Sequence, residues 1–157
     1  MNKYQNTLRL SVHGIFVLAA LVILIDFIIP GKVVNDEIIE VKSERQQYYN
    51  AARNSHYSYK VITRKHHFFV AEDFAKLVQG HEKIEYSVSR VFKEVNGYRL
   101  LPSGNRRVYS LRIVSGLVLP LLTIISILVA YQYKKNIGTL VFVLKALLIV
   151  DLIFLIF

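Results

Sequence analysis

The sequence contains no cysteine. Without thiols the chain can form neither a disulfide framework nor a thiolate metal site. It also lacks a nucleophile elbow, a glycine-rich phosphate loop and the paired-histidine motif of zinc helices. Internal repeats and low-complexity tracts are absent as well. These absences leave no catalytic constellation, so we expect a protein that is not an enzyme and that holds no cofactor and no metal.

Acidic side chains are scarce. Eleven Asp and Glu stand against twenty Lys and Arg, which gives a formal net charge of +9. A basic chain can bind nucleic acid, but here the basic residues are interleaved with acidic ones and no recognition motif accompanies them. We therefore assign the excess charge to residues beside a membrane and to a basic domain outside it, and we expect no nucleic-acid partner.

Apolar side chains are abundant, at 54% of the sequence. They are concentrated in three blocks, residues 12–30, 111–131 and 138–157. Each block is close to the roughly 20 apolar residues that a helix needs to cross a bilayer. Residues 31–110, between the first two blocks, hold 23 of the 31 charged residues. The pattern predicts a membrane α+β fold, in which a small domain is inserted between transmembrane helices 1 and 2 of three.

The flanking charges predict how the chain crosses the bilayer. No small-residue cleavage site follows residues 12–30, so we interpret that block as an uncleaved signal-anchor helix. Lys and Arg in short segments favour the cytoplasm, and they occur in the tail 1–11 and in the loop 132–137. We therefore expect a cytoplasmic N-terminus, with residues 31–110 and the C-terminus extracytoplasmic, in a bacterial inner membrane.

The second apolar block carries small residues on one side, within an arc of about 100° on a helix. Such a stripe lets a neighbouring backbone approach closely, which favours helix association in lipid. Pro120 has no backbone N–H, so we expect it to kink this helix or to widen one of its turns. The predicted packing stripe consists of Ser115, Gly116, Thr123, Ser126 and Ala130.

Four charged residues interrupt the apolar blocks and form a predicted intramembrane charge network. Charged groups within a bilayer are costly and indicate function by default. Arg112 is positioned to pair with one or both acidic members in a structural clasp. Contact with a partner subunit, or an ion or proton path, are the other interpretations. The members of the network are Asp26, Arg112, Lys145 and Asp151.

Residues 31–110 alternate between apolar and polar side chains, which is typical of β-strands. We predict a small antiparallel β-domain of roughly four to six strands, with one short helix at 71–80. Asn96-Gly97 is a strong hairpin signal and predicts a turn. If alternation continues from residue 56 to residue 70, Val61 lies on one face of the strand and Phe68 on the other.

The adjacent histidines His66 and His67 are the remaining candidate metal ligands. Neighbouring residues of a strand point to opposite faces, so the two imidazoles cannot easily share one metal ion. We therefore expect exposed strand histidines rather than a metal site.

Together these features predict a non-enzymatic accessory or scaffold subunit of a larger membrane assembly, of translocation, secretion or respiratory type. It would dock through its transmembrane helices and its extracytoplasmic β-domain, so its partners are the lipid bilayer and a larger integral membrane protein or complex. One alternative is a small ion- or proton-coupled transporter element that acts as a homo-oligomer. Another is a membrane-anchored periplasmic sensor or binding module.

Overall fold

The computed structural model describes residues 3–47, 55–102, 104–132 and 137–156. The chain divides into two compact units, unit 1 (residues 1–30, 90–92 and 111–157) and unit 2 (residues 31–89 and 93–110). The elements are α1 (Lys3–Ile28), β1 (Lys32–Gln47), β2 (Ser55–Thr63), β3 (His67–Val70), α2 (Glu72–Ala75), β4 (Lys83–Val88), β5 (Val95–Leu100), α3 (Ser110–Ile113), a π-helical turn (Val114–Val118), α4 (Leu119–Gln132) and α5 (Gly138–Ile156).

Unit 1 contains three helical stretches that are long and apolar enough to span a membrane. They are Arg9–Ile28 within α1, the continuous run Ser110–Gln132, and α5. The middle stretch joins α3, the π-helical turn and α4 without a break. These lengths are compatible with an integral membrane protein, as the three apolar blocks predicted.

The π-helical turn ends at Val118, two residues before Pro120. Proline has no N–H to donate to the carbonyl one turn earlier, so the regular α-helical ladder is broken at this point. The N–H of Leu119 bonds to the carbonyl of Val114, five residues back. Bonds of this span widen the turn relative to an α-helix, so the widened turn predicted beside Pro120 is present.

Few apolar side chains of unit 1 are buried within it. Helix α4 contacts both α1 and α5. Most large side chains point outward instead, such as Phe142 at 72% and Phe154 at 77% exposed. An apolar surface of this extent is rare on a water-soluble monomer. The buried cluster consists of Ala20, Ile23, Leu148 and Leu155.

Unit 2 is built on a five-stranded antiparallel sheet in the order β3-β2-β1-β4-β5. The central strand, β1, pairs with β4 along its first part and with β2 along its second part. A bulge between Ile38 and Glu40 marks the change. In the described sheet, residues 44–47 of β1 and 55–58 of β2 pair only with each other. We call these two segments the hairpin arm.

The core of unit 2 combines aliphatic side chains with four aromatic ones. Tyr86, Tyr98 and Phe74 are each at most 2% exposed. The rings of Phe74 and Tyr98 meet edge to face with centroids 4.6 Å apart, which is a favoured aromatic geometry. The Tyr98 hydroxyl accepts a hydrogen bond from the N–H of Ala71 at 3.0 Å. Burial raises the pKa of Tyr98, so this hydroxyl stays protonated.

The hairpin turn predicted at Asn96-Gly97 is wrong. Both residues lie inside β5, and residues 89–94 connect β4 to β5. Gly97 serves a different purpose, because a Cβ added there would lie 2.8 Å from Nε of Arg106. A glycine inside a strand often marks such a close approach. Asn96-Gly97 therefore reflects the packing of Arg106 against β5 and not a turn.

The prediction that Val61 and Phe68 lie on opposite faces is also wrong. They are paired neighbours on β2 and β3, and they are 0% and 7% exposed. The chain turns at residues 64–66, between the two strands. This turn resets the alternation, so counting across it assigns the wrong face.

The helix predicted at 71–80 is a single turn, α2. Glu72 and Asp73 lie in its first turn, where negative charge favours the positive end of the helix. Its buried residue, Phe74, packs against the sheet core. Because helix nucleation is costly, a helix this short depends on such tertiary contacts.

Candidate functional site

The ionisable residues of the apolar helices are the strongest candidates for function, and the structure places them in two groups. Asp26, Arg112 and Asp151 lie together, and we call them the Asp26 cluster. Lys145 lies apart from this cluster, beside His13. Three of the four members of the predicted charge network therefore share one location, and the fourth has a different neighbour.

Asp26 is held by the backbone of residues 90–92. Its side chain is 1% exposed, and its Oδ1 accepts a hydrogen bond from the N–H of Val91 at 2.7 Å. Its Oδ2 accepts a longer one from Phe92 at 3.4 Å and lies 3.7 Å from Nη2 of Arg112. A buried carboxylate is tolerated only when hydrogen bonds and a counter-charge replace its water. Asp26 therefore anchors residues 90–92 to α1.

Arg112, whose side chain is 6% exposed, supplies the positive charge of the cluster. Its guanidinium carbon lies 5.6 Å from the centroid of the Phe27 ring. A guanidinium over an aromatic face gains a cation–π attraction that strengthens when water is excluded. The pair of Phe27 and Asp26 on α1 thus fixes α3 against that helix.

Asp151 completes the cluster from α5. Its polar neighbours are Arg112 and Ser115. Its Oδ2 is buried and has no hydrogen-bond partner among the described residues. Leaving such an oxygen without a donor costs free energy, whereas Ser115 hydrogen-bonds the carboxyl group and Arg112 attracts it.

Lys145 reaches across to α1. Its Nζ lies 2.7 Å from Nδ1 of His13 and 4.9 Å from the centroid of the Phe16 ring. The imidazole nitrogen acts as the acceptor, because an ammonium group has only donors. Lys145 is thus held in place by a neutral histidine and an aromatic ring rather than by a carboxylate.

Two members of the predicted packing stripe, Gly116 and Thr123, are buried inside unit 1. Gly116 is buried, and a Cβ added to it would lie 2.3 Å from the Phe27 ring. Thr123 is 0% exposed and donates its hydroxyl to the carbonyl of Leu119 at 2.9 Å. The other members, Ser115, Ser126 and Ala130, are half-buried.

Unit 2 contains a polar cluster that sequence reasoning missed. The Tyr86 hydroxyl lies 2.9 Å from Nδ1 of His66, 3.3 Å from Oγ1 of Thr63 and 3.3 Å from Oδ2 of Asp36. Its members come from β1, β2, β4 and the turn before β3. Asp36 and Tyr86 are 50 residues apart in sequence, so no local motif could have identified them.

The pKa shifts indicate a structural role for this polar cluster. Burial raises the pKa of Tyr86, which keeps its hydroxyl protonated. Burial also acts to raise the pKa of Asp36, but hydrogen bonds led by the N–H of Glu37 outweigh it and lower the pKa overall. The cluster therefore joins a carboxylate and a phenol from three strands through hydrogen bonds.

Histidines do not combine into a metal site in the described part of the chain, where no group of three or more His, Asp or Glu side chains could hold an ion. His67 is exposed at the start of β3, whereas His66 is half-buried against Tyr86.

Comparison with protein-family models, curated proteins and solved structures finds no match to this chain.

Proposed function

We propose that this protein is a non-enzymatic accessory or scaffold subunit of a larger assembly in the bacterial inner membrane, of translocation, secretion or respiratory type. Its apolar helices would contact lipid and the partner, and unit 2 would contact the extracytoplasmic part of the same partner. The feature that supports this proposal best is the hairpin arm of unit 2.

The hairpin arm exposes residue types that protein interfaces favour. Arg45 and Tyr57 are cross-strand partners, and both are exposed, Tyr57 at 45%. Side chains directly opposite each other on an antiparallel pair point to the same face. Arg and Tyr are enriched at interfaces and at their energetic centres. A two-stranded ribbon is only marginally stable alone, so packing against a partner would stabilise the arm.

The proposed topology has the N-terminus in the cytoplasm and unit 2 outside. It rests on the Lys and Arg residues of segments 1–11 and 132–137, since short basic loops are retained in the cytoplasm. Unit 2 is itself basic, but long segments cross the membrane largely regardless of charge.

The test is recovery of the assembly from native membranes in mild detergent, followed by native mass spectrometry and cross-linking. We expect a complex larger than the monomer, with cross-links from the hairpin arm to another protein. The double variant Arg45→Ser, Tyr57→Ser should release the partner. Leu77→Ser is the control, because Leu77 is also exposed, at 54%, and lies outside the arm. Recovery of the wild-type chain as a lone monomer would contradict the proposal.

Asp151 favours a second candidate function, a small ion- or proton-coupled element that acts as a homo-oligomer. Its buried carboxylate oxygen lacks a hydrogen-bond partner among the described residues, and such intramembrane groups often mark ion or proton paths. Asp151→Asn should then abolish flux in liposomes while the helical content stays unchanged. Absence of flux through the wild-type protein would eliminate this candidate.

A further inference from the structure

Three basic side chains surround a cavity in unit 1, of about 200 Å³. Arg9 and His13 come from the start of α1, and Lys145 comes from the first half of α5. Because Arg9 and His13 are four residues apart, they lie on the same side of α1. The other walls include Ala130 of α4 and the apolar side chains Val141 and Phe142 of α5.

The polar groups of this cavity are hydrogen-bond donors. The guanidinium of Arg9 and the ammonium of Lys145 have no acceptor atoms. Because Nδ1 of His13 accepts from Lys145 at 2.7 Å, the ring proton of a neutral His13 lies on Nε2, which becomes a donor too. The side-chain polar groups at this cavity are therefore donors, and its charged groups are positive, which favours an anion.

Unit 1 does not supply that anion itself. Its sequence contains two acidic residues, Asp26 and Asp151. Asp26 lies 13 residues beyond His13 on α1, about 20 Å along the axis. Asp151 lies six residues beyond Lys145, about 9 Å along α5 and turned by about 120° from it. Neither carboxylate is among the residues that line the cavity, so the cavity can accept an anion from another molecule.

We propose that this cavity binds the phosphate group of an anionic phospholipid. The apolar walls argue for a lipid over a soluble phosphate, because Phe142 is 72% exposed beside the basic groups and can contact an acyl chain. Lys145 lies about 10 Å into its helix, counted from Gly138, and its long stem can carry the ammonium towards the headgroup layer. Basic pockets between membrane helices recognise anionic headgroups by the same chemistry. This inference does not depend on the proposed function.

The test uses the purified full-length chain in mild detergent and native mass spectrometry during titration with defined lipids. The probes are phosphatidylglycerol, which is anionic, phosphatidylcholine, whose phosphate is neutralised by its own cation, and inorganic phosphate. We expect phosphatidylglycerol to bind at least about fivefold more tightly than phosphatidylcholine, in line with about 1 kcal/mol for each basic residue. Excess inorganic phosphate should displace little of the bound lipid.

Two variants and one control localise the site. Lys145→Met and Arg9→Gln should each weaken phosphatidylglycerol binding about fivefold. Arg9 is exposed, so its replacement tests the site even if Lys145→Met fails to fold. Arg90→Gln removes the same charge from an exposed position outside the cavity and should leave binding unchanged.

Three outcomes would overturn the proposal. The first is equal binding of phosphatidylglycerol and phosphatidylcholine by the wild type. The second is unchanged phosphatidylglycerol binding in Arg9→Gln and in any folded Lys145→Met. The third is complete displacement of lipid by inorganic phosphate at equal concentration, which would assign the cavity to a soluble phosphate.

Discussion

Units 1 and 2 distribute apolar and charged side chains in opposite ways. In unit 2 the aromatic residues Phe74, Tyr86 and Tyr98 are buried in the core and most charges are exposed, as in a water-soluble domain. In unit 1 the large apolar side chains are mostly exposed, whereas Asp26 and Arg112 are buried. Apolar side chains are therefore buried in one unit and exposed in the other, and the simplest cause is a different solvent around each unit. Among the described residues, the exposed large hydrophobic side chains of unit 2 are Val33, Ile39, Tyr57, Phe69 and Leu77.

Two arginine–carboxylate pairs make the contrast concrete. In unit 2, Arg99 and Glu85 approach to 2.7 Å, with side chains 44% and 24% exposed. In unit 1, Arg112 and Asp26 are 3.7 Å apart, with side chains 6% and 1% exposed. Water screens the shorter pair, and exposed pairs contribute little to stability. Burial makes the longer pair the more consequential one, because water cannot replace a partner that is lost from a buried site.

The largest difference in stability between the two units is expected for replacement of a phenylalanine by alanine. Phe74→Ala in unit 2 removes a ring that is 2% exposed and should reduce the free energy of unfolding by about 3–5 kcal/mol. Phe154→Ala in unit 1 removes a ring that is 77% exposed and should change stability by less than about 1 kcal/mol, because a ring this exposed makes few contacts within the fold. Chemical denaturation in detergent, followed by near-ultraviolet circular dichroism, measures both. Equal destabilisation by the two variants would break the comparison.

The next effect concerns the two ion pairs. Asp26→Asn removes one of the two carboxylates beside Arg112 and weakens the acceptor for the N–H of Val91, so we expect a loss of about 2–3 kcal/mol. The matched change in unit 2, Glu85→Gln, should cost at most about 1 kcal/mol. Titration with sodium dodecyl sulfate in mixed micelles measures the first, and thermal unfolding measures the second. A larger loss of stability from Glu85→Gln than from Asp26→Asn would contradict the prediction that the buried pair matters more.

A third prediction tests the close helix contact in unit 1. Gly116→Ala places a methyl group 2.3 Å from the Phe27 ring and should cost about 1–3 kcal/mol. Gly14→Ala is the control, because its added Cβ has no atom within 4 Å. That change should be neutral or stabilise the helix by up to about 1 kcal/mol. Denaturation of both variants in mixed micelles gives the answer, and a stable Gly116→Ala would argue against the contact.

The smallest effect is the pH dependence of unit 2. Because hydrogen bonds lower the pKa of Asp36 below its ordinary value of 3.8, the carboxylate stabilises the fold above that value and loses its effect as the pH falls through the folded-state pKa. The stability advantage of the wild type over Asp36→Asn should therefore shrink below about pH 4. Thermal unfolding of both proteins across this range is the measurement. A difference that stays constant with pH would contradict the assignment.

Sequence reasoning succeeded where the signal is local. The three apolar blocks predicted the three long helices because about 20 consecutive apolar residues suffice to identify a span. Alternation predicted the strands, and Pro120 predicted the widened turn. Sequence reasoning failed where one residue type suits two structures. Gly97 was predicted to form a hairpin turn, but it lies inside β5 and allows the close approach of Arg106.

The site itself depends on contacts that no local pattern encodes. Asp26 accepts a hydrogen bond of 2.7 Å from a backbone N–H 65 residues away, and every residue except proline carries such a group. Lys145 and His13 are 132 residues apart. The sequence can therefore mark these ionisable residues as unusual, but only the fold determines which of them meet.

The central claim is that lipid surrounds unit 1 while water surrounds unit 2. The most direct measurement is extraction of membranes that contain the full-length chain with alkaline carbonate, followed by assay of pellet and supernatant. The account predicts that the protein stays in the membrane pellet and enters solution only with detergent. Release into the carbonate supernatant as a folded, monodisperse protein would contradict it.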